Sequence, residues 1–145
     1  MSDSIDSTYS ILVYPSKLLP TMYISLIFSR WLRSLRYGNP LFRKMRSKEY
    51  FDHYHIYIEN LLSKPDSEIR LAVLSDDHDN VLGFSVVRED VLDYIHVHDN
   101  NRNVGIGKSL LPKNVTTFTH ITGPAIQIWQ KTGSKYKELK FNPFA

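Results

Sequence analysis

The residues best suited to chemistry fall in one stretch, "NNRNVGIGKSLL", from Asn100 to Leu111. Gly105 and Gly107 stand one residue apart, with Arg102 before them and Lys108 directly after. A strand ends at about His98 and a helix begins near Lys108, so the glycines occupy a strand-to-helix loop. The first N–H groups of a helix have no internal partner and carry partial positive charge. Glycine lets an anion approach that backbone closely, so the arrangement suits a phosphate. Arg102 and Lys108 would add charge-assisted contacts. Two familiar phosphate patterns fail: position 102 is Arg where a Walker loop needs Gly, and position 110 is Leu where a dinucleotide fingerprint needs Gly. An ordinary tight turn is the other reading, and two glycines alone do not choose between them.

Titratable groups cluster just upstream: Glu89, Asp90, Asp93 and His96. A carboxylate in an apolar cleft has a raised pKa and can take a proton near neutral pH. Equally, Glu89 and Asp90 suit a solvated hairpin turn. Strand alternation puts Asp93 and His96 on opposite faces. His96 and His98 would share a face and could chelate, but no third ligand is evident, so no metal is expected. "DDHD" (Asp76–Asp79) lacks the spacing and glycine of a calcium loop.

Between Ser7 and Lys48 there is no acidic residue and the charge is +8, whereas residues 49–145 sum to −3. Arg30, Arg33, Arg36, Arg43, Lys44 and Arg46, with Trp31, Tyr37 and Phe42 among them, admit a nucleic-acid or other anionic partner. They also suit a solvated basic helix face, and charge alone does not imply base reading. Trp31 belongs to the apolar face of its helix and reads as core.

These residues need elements to hold them. Tyr9–Pro15 reads as a strand ended by proline. A helix opening at Pro20–Thr21 buries Ile24, Ile27, Phe28, Trp31 and Leu35, and stops at Gly38-Asn39-Pro40. Ser47 reads as the N-cap of a second helix over 48–62, with Phe51, Tyr54, Ile58, Leu61 and Leu62 inward. Ile69–Ser75 and Val81–Arg88 form a hairpin across the polar turn Asp76–Asn80, and Val91–His98 is a third strand. After the glycines comes a short helix cut by Pro112, a strand at Thr117–Thr122, a helix at Pro124–Lys131 and a last strand in "YKELKFNPF". The order is β-α-α-β-β-β-α-β-α-β: an α/β (α+β) single domain over 1–145, with a mixed, mostly antiparallel sheet flanked by helices.

Within that order, "RNVGIG" (Arg102–Gly107) resembles the R/Q-x-x-G-x-G/A signature of the GCN5-related N-acetyltransferases, the GNAT family. "IHVHDNNRNVGIGKSLL" is similar to their strand-four, loop and helix-three segment, and Gly83 stands where their third strand carries a glycine. "AIQIWQKTG" (Ala125–Gly133) is similar to their A-x-x-x-Y-x-K-x-G stretch. The resemblance implies acetyl-CoA as co-substrate and transfer of its acetyl group to an amine by direct attack. It implies pyrophosphate on the backbone N–H groups of Arg102, Asn103, Val104, Gly105, Ile106, Gly107 and Lys108. It implies the pantetheine arm along Ile95, His96 and Val97, where two strands splay. Glu89 and Asp93 are then the candidate bases. The usual tyrosine acid is replaced by Trp129, which only donates an N–H, and Tyr136 is the candidate in its stead. That departure, with the shortened helix, leaves a second reading: a GNAT-like binding or structural protein without turnover.

Among 145 residues there is no cysteine, so neither disulfides nor thiolate metal sites are available. The polar start "MSDSIDSTYS" lacks the order of a signal peptide, and "TMYISLIF" is too short to span a bilayer. The expected location is cytoplasmic.

Overall fold

A computed structural model describes residues 9–38, 40–98, 105–119 and 140–142. Among the described residues, six strands form one sheet in the order β1-β2-β3-β4-β5-β6. They are β1 (Tyr9–Pro15), β2 (Ser67–Leu74), β3 (Asp77–Arg88), β4 (Val91–Val97), β5 (Thr117–Phe118) and β6 (Lys140–Phe141). The first four strands pair antiparallel, and β4–β5 and β5–β6 pair parallel. The helices are α1 (Thr21–Gly38), α2 (Pro40–Arg43), α3 (Ser47–Leu62) and α4 (Ile106–Leu110). The expected mixed, mostly antiparallel sheet is present. The expected helix at 124–131 lies outside the described residues.

Each sheet face has its own core. On one, α1 and α3 bury Ile27, Trp31, Leu35, Tyr50 and Ile58 against Ile69, Leu71, Phe84, Val86 and Tyr94. Trp31 stacks on Tyr94 with ring centroids 4.9 Å apart, and truncating such a side chain costs about 3–5 kcal/mol. On the other, Ile106 and Leu110 of α4, with Leu111 and Val115, cover Ala72, Val87, Leu92, Ile95 and Val97.

Two expectations shift. The hairpin turn is tighter than read, because Asp77–Asn80 already belong to β3. In α3, Tyr54, Ile58, Leu61 and Leu62 face the core as expected, but Tyr50 is fully buried in place of Phe51, which is 38% exposed. The Tyr50 hydroxyl donates to Leu32 O at 2.5 Å, so its polar end is satisfied inside the core. Ser47 is the first residue of α3, not its cap, and its hydroxyl accepts a bond from Arg36 at 2.7 Å.

Candidate active site

Strand β4 is irregular where it matters. Val87 faces Leu92, but Val86 faces Tyr94, so Asp93 is an extra residue on β4. Such a bulge resets the side-chain alternation. Leu92 and Ile95, three residues apart, consequently enter the same core beneath α4. Asp93 turns to the helix side, where it lies near enough to Tyr57 of α3 to help burial raise that phenol. His96 is on that side too, its ring 5.8 Å from Phe84. The expected opposition of Asp93 and His96 therefore does not hold, because the bulge inserts a half-step.

Beyond the bulge, the side chains of Ile95 and Val97 are buried under α4. Any ligand contact at these positions runs through the main chain. Gly83 of β3 makes the close packing there possible. A Cβ on it would stand 2.7 Å from His96 O, 3.2 Å from Val97 Cα and 3.3 Å from Leu110 Cδ1.

Gly105 opens α4 with φ 84°, a left-handed conformation that side chains resist. Its carbonyl accepts both the Ser109 N–H and the Ser109 hydroxyl, each at 3.1 Å. Ser109 is thus the first N–H to close the turn, and those of Ile106, Gly107 and Lys108 precede it. No described atom lies within 4 Å of where a Gly105 Cβ would point. Lys108 is exposed, while Ile106 and Gly107 are buried. Tyr9 O–H and Ser109 Oγ, 2.8 Å apart, join the end of α4 to the edge strand. These residues fit the phosphate end of a CoA molecule: a glycine-opened turn, leading N–H groups and a lysine beside them. The expected contributors Arg102, Asn103 and Val104 lie outside the described residues, as do Trp129 and Tyr136.

Of the candidate bases, Asp93 is fully buried. It accepts Arg88 Nε at 2.5 Å and Arg88 Nη2 at 2.8 Å, and the Thr119 hydroxyl at 3.2 Å. Asp93 is thus held inside the core by an arginine fork and a hydroxyl, an anchoring arrangement. Glu89 sits in the β3–β4 turn with φ 53°. That turn is at the end of β4 away from Gly105, about 20 Å for a seven-residue strand. Glu89 lines a pocket of about 220 Å³ with Asp66, Glu68, Arg70, Val87, Pro112 and Asn114. Asp90 receives the Thr116 hydroxyl at 2.6 Å on its carboxylate and the Thr116 and Thr117 N–H groups on its carbonyl. It fixes the start of β5.

Among the described residues, no three His, Cys, Asp or Glu side chains group to hold a metal. The basic segment is mostly structural. Arg30 donates to Val81 O at 2.7 Å, Arg36 to Ser47 Oγ and Met45 O, and Arg43 to Tyr37 O. Arg33, Lys44 and Arg46 are exposed. With half of the set capping carbonyls between elements, the expected nucleic-acid partner is not supported. Sequence reading missed the partners Arg88 and Thr119. The signal available was an aspartate inside the apolar run "VLDYI", which demands a buried countercharge.

Comparison with known proteins bears on the fold. No protein-family model and no curated protein matches the chain. Among solved structures, a Pyrococcus furiosus protein described as an acetyl transferase superposes with a TM-score of 0.64 and 18% identity, covering 86% of this chain and 91% of that one. The fold is that of the GNAT acetyltransferases. An aminoglycoside acetyltransferase from an uncultured soil metagenomic sample has the same GNAT-like fold at a TM-score of 0.50 and 16% identity, covering 88% and 91% of the two chains. In GNAT terms, β4, the glycine turn and α4 are strand four, its loop and helix three. No helix among the described residues is long and apolar enough to cross a membrane.

Proposed function

We propose that this chain binds acetyl-CoA, or another acyl-CoA, and transfers the acyl group to an amine. The observation that carries the reading is the run from the Asp93 bulge through β4 into the left-handed Gly105 that opens α4. It joins a strand whose backbone can align an extended arm to a turn whose leading N–H groups suit phosphate. In this reading the N–H groups of Gly105, Ile106, Gly107 and Lys108 hold the pyrophosphate, with Arg102, Asn103 and Val104 completing the loop. The main chain of Ile95, His96 and Val97 holds the pantetheine arm.

Bound acetyl-CoA supplies an activated acyl group, whose C–S bond breaks as a C–N bond to the amine forms. The chain's contribution is to align that carbonyl on β4, where a backbone N–H can stabilise the developing oxyanion, and to hold the amine in line. The amine loses one proton and the thiolate gains one. With Trp129 at the position where the family's tyrosine stands, Tyr136 is the candidate to deliver the latter. Glu89 stands at the end of β4 opposite the glycines, where its carboxylate suits a cationic acceptor amine, and it is the candidate to take up that amine's proton. Three carboxylates around Arg70 give that pocket a negative balance.

Calorimetric titration with acetyl-CoA tests the reading, beside a Gly105→Trp variant that puts bulk and a strained φ at the turn. Micromolar binding that disappears in the variant supports it, and a screen of amines for CoA release then tests transfer. Failure of the native protein to bind acetyl-CoA or CoA refutes it.

A further inference from the structure

The ion pair of Arg88 and Asp93 is an expensive feature in an otherwise apolar region. The Asp93 side chain is fully buried and that of Arg88 is 11% exposed. Removing two charges from water is costly, and a well-packed apolar pair often serves stability equally well. Its position gives a reason for it. Asp93 is the extra residue of the β4 bulge, and it binds three strands at one point. Its carboxylate holds Arg88 at the end of β3. Its carbonyl accepts the Thr119 hydroxyl at 3.2 Å, and the Thr119 N–H bonds Leu92 O at 3.1 Å, just past β5. The β4–β5 ladder among the described residues pairs Val91 with Thr117 and Leu92 with Phe118, and Asp93 follows directly. The site therefore fixes both where the bulge falls and how β4 is turned for the next residues, Ile95 to Val97. A slip of one residue there would exchange the faces of every later side chain.

Building on the acyl-CoA reading, we propose that Asp93, held by Arg88 and Thr119, is a positioning residue. It sets the orientation of the β4 main chain that receives the acyl-pantetheine arm, and it does not touch the reacting atoms. The nucleotide end of the ligand, held at Gly105 to Lys108, is independent of it.

The test compares two probes, acetyl-CoA and adenosine 3′,5′-bisphosphate, by calorimetry, with melting temperature recorded for each variant. Arg88→Met combined with Asp93→Leu replaces the pair by apolar side chains, and Thr119→Val removes one hydroxyl while keeping shape. The expected result is a near-native melting temperature and unchanged bisphosphate affinity in both variants. Acetyl-CoA affinity should fall about tenfold in the double variant, the equivalent of one or two misaligned hydrogen bonds, and less in Thr119→Val. Amide resonances of Ile95 to Val97, which should move when acetyl-CoA is added to the native protein, should move less at saturating acetyl-CoA in the double variant. Native acetyl-CoA affinity in a folded double variant overturns the proposal, as does equal weakening of both probes, which would mean general loosening. Should the double variant not fold, Thr119→Val decides: loss of acetyl-CoA affinity alone supports the proposal, and no change overturns it. A native protein that binds neither probe refutes the acyl-CoA reading itself, and this inference falls with it.

Discussion

Replacing Gly83 by alanine adds one methyl group where the sheet and α4 leave no space for it. The new Cβ would lie 2.7 Å from His96 O, a contact real Cβ atoms do not make, and 3.2 Å from Val97 Cα. Both are backbone atoms of the paired strand, so relief requires β4 to move away by about half an ångström in a tightly packed interior. The third contact, Leu110 Cδ1 at 3.3 Å, can yield by a small side-chain rotation. Overpacking of this kind costs about 1–3 kcal/mol. Against it stands a gain of about 0.4–1 kcal/mol from the stiffer unfolded chain. The net expectation is a loss of about 1–2 kcal/mol, or roughly 3–8 °C in Tm for a chain of this size.

Urea and thermal unfolding of Gly83→Ala measure that loss directly. A second background sharpens it. Leu110 is fully buried, so Leu110→Ala alone costs about 2–5 kcal/mol. Because the decisive clash is with backbone, Gly83→Ala should cost nearly as much in the Leu110→Ala background as in the native one, with a coupling under about 0.5 kcal/mol. A Gly83→Ala protein as stable as the native one refutes the packing argument. A cost that vanishes when Leu110 is truncated refutes the assignment of the clash to β4.

At Gly105 the constraint is conformational, since no described atom approaches its Cβ direction; Gly105→Ala should cost only the left-handed strain, about 1–2 kcal/mol by urea unfolding, with weaker acetyl-CoA binding. Arg36 donates to Ser47 Oγ at 2.7 Å and Met45 O at 3.0 Å and lies over the Tyr50 and Phe51 rings. Lysine cannot span that fork, so Arg36→Lys should lower stability by about 1–2 kcal/mol in the same assay. Burial pushes the phenols of Tyr50, Tyr54 and Tyr57 up. Their neutral forms are favoured in the folded state, so stability should be level below about pH 10, the unfolded phenol value, and fall as pH rises above it. Tyr50→Phe should lessen that alkaline loss in pH-dependent melts while costing about 1 kcal/mol at neutral pH for the lost hydrogen bond to Leu32 O.

Those tyrosines also show what a sequence conceals. The apolar spacing of α1, the alternation of β2 to β4 and the glycines before α4 were readable, because period and turn chemistry are local properties. The first residue of the buried face of α3 was not. In "SKEYFDHYHIYIEN" either Tyr50 or Phe51 can lead the buried face, and hydropathy favours Phe51. The choice is made by Leu32 O, a carbonyl on another helix that accepts the Tyr50 hydroxyl. The bulge was hidden for a similar reason. "VLDYIHV" alternates on paper, and only pairing with β3 shows Asp93 to be the extra residue. Once it is extra, its face, its partner Arg88 and its chemical role all change together. About the candidate site, the glycine turn was therefore legible and the surroundings of Asp93 were not.

The short α4 invites reading as a damaged helix, yet its end has a local cause and a place in the crossover from β4 to β5. The chain leaves β4 at Val97 and must return to pair β5 with Val91, at the other end of a strand about 20 Å long. Eleven residues separate Gly105 from Thr117. Wound as one helix they would span about 16 Å, and an extended second half reaches further for the same number of residues. Pro112 enforces it, since a residue before proline is driven out of the helical region, and Leu111 is extended with φ −93° and ψ 116°. The freed segment then reaches Asp90, whose carboxylate and carbonyl collect the Thr116 hydroxyl and the Thr116 and Thr117 N–H groups. A carboxylate in the β3–β4 turn is thus needed to land β5, which accounts for Asp90 without catalysis. It also separates two features that the sequence presents together: the early end of α4 is set by Pro112, whereas its start is set by the left-handed Gly105.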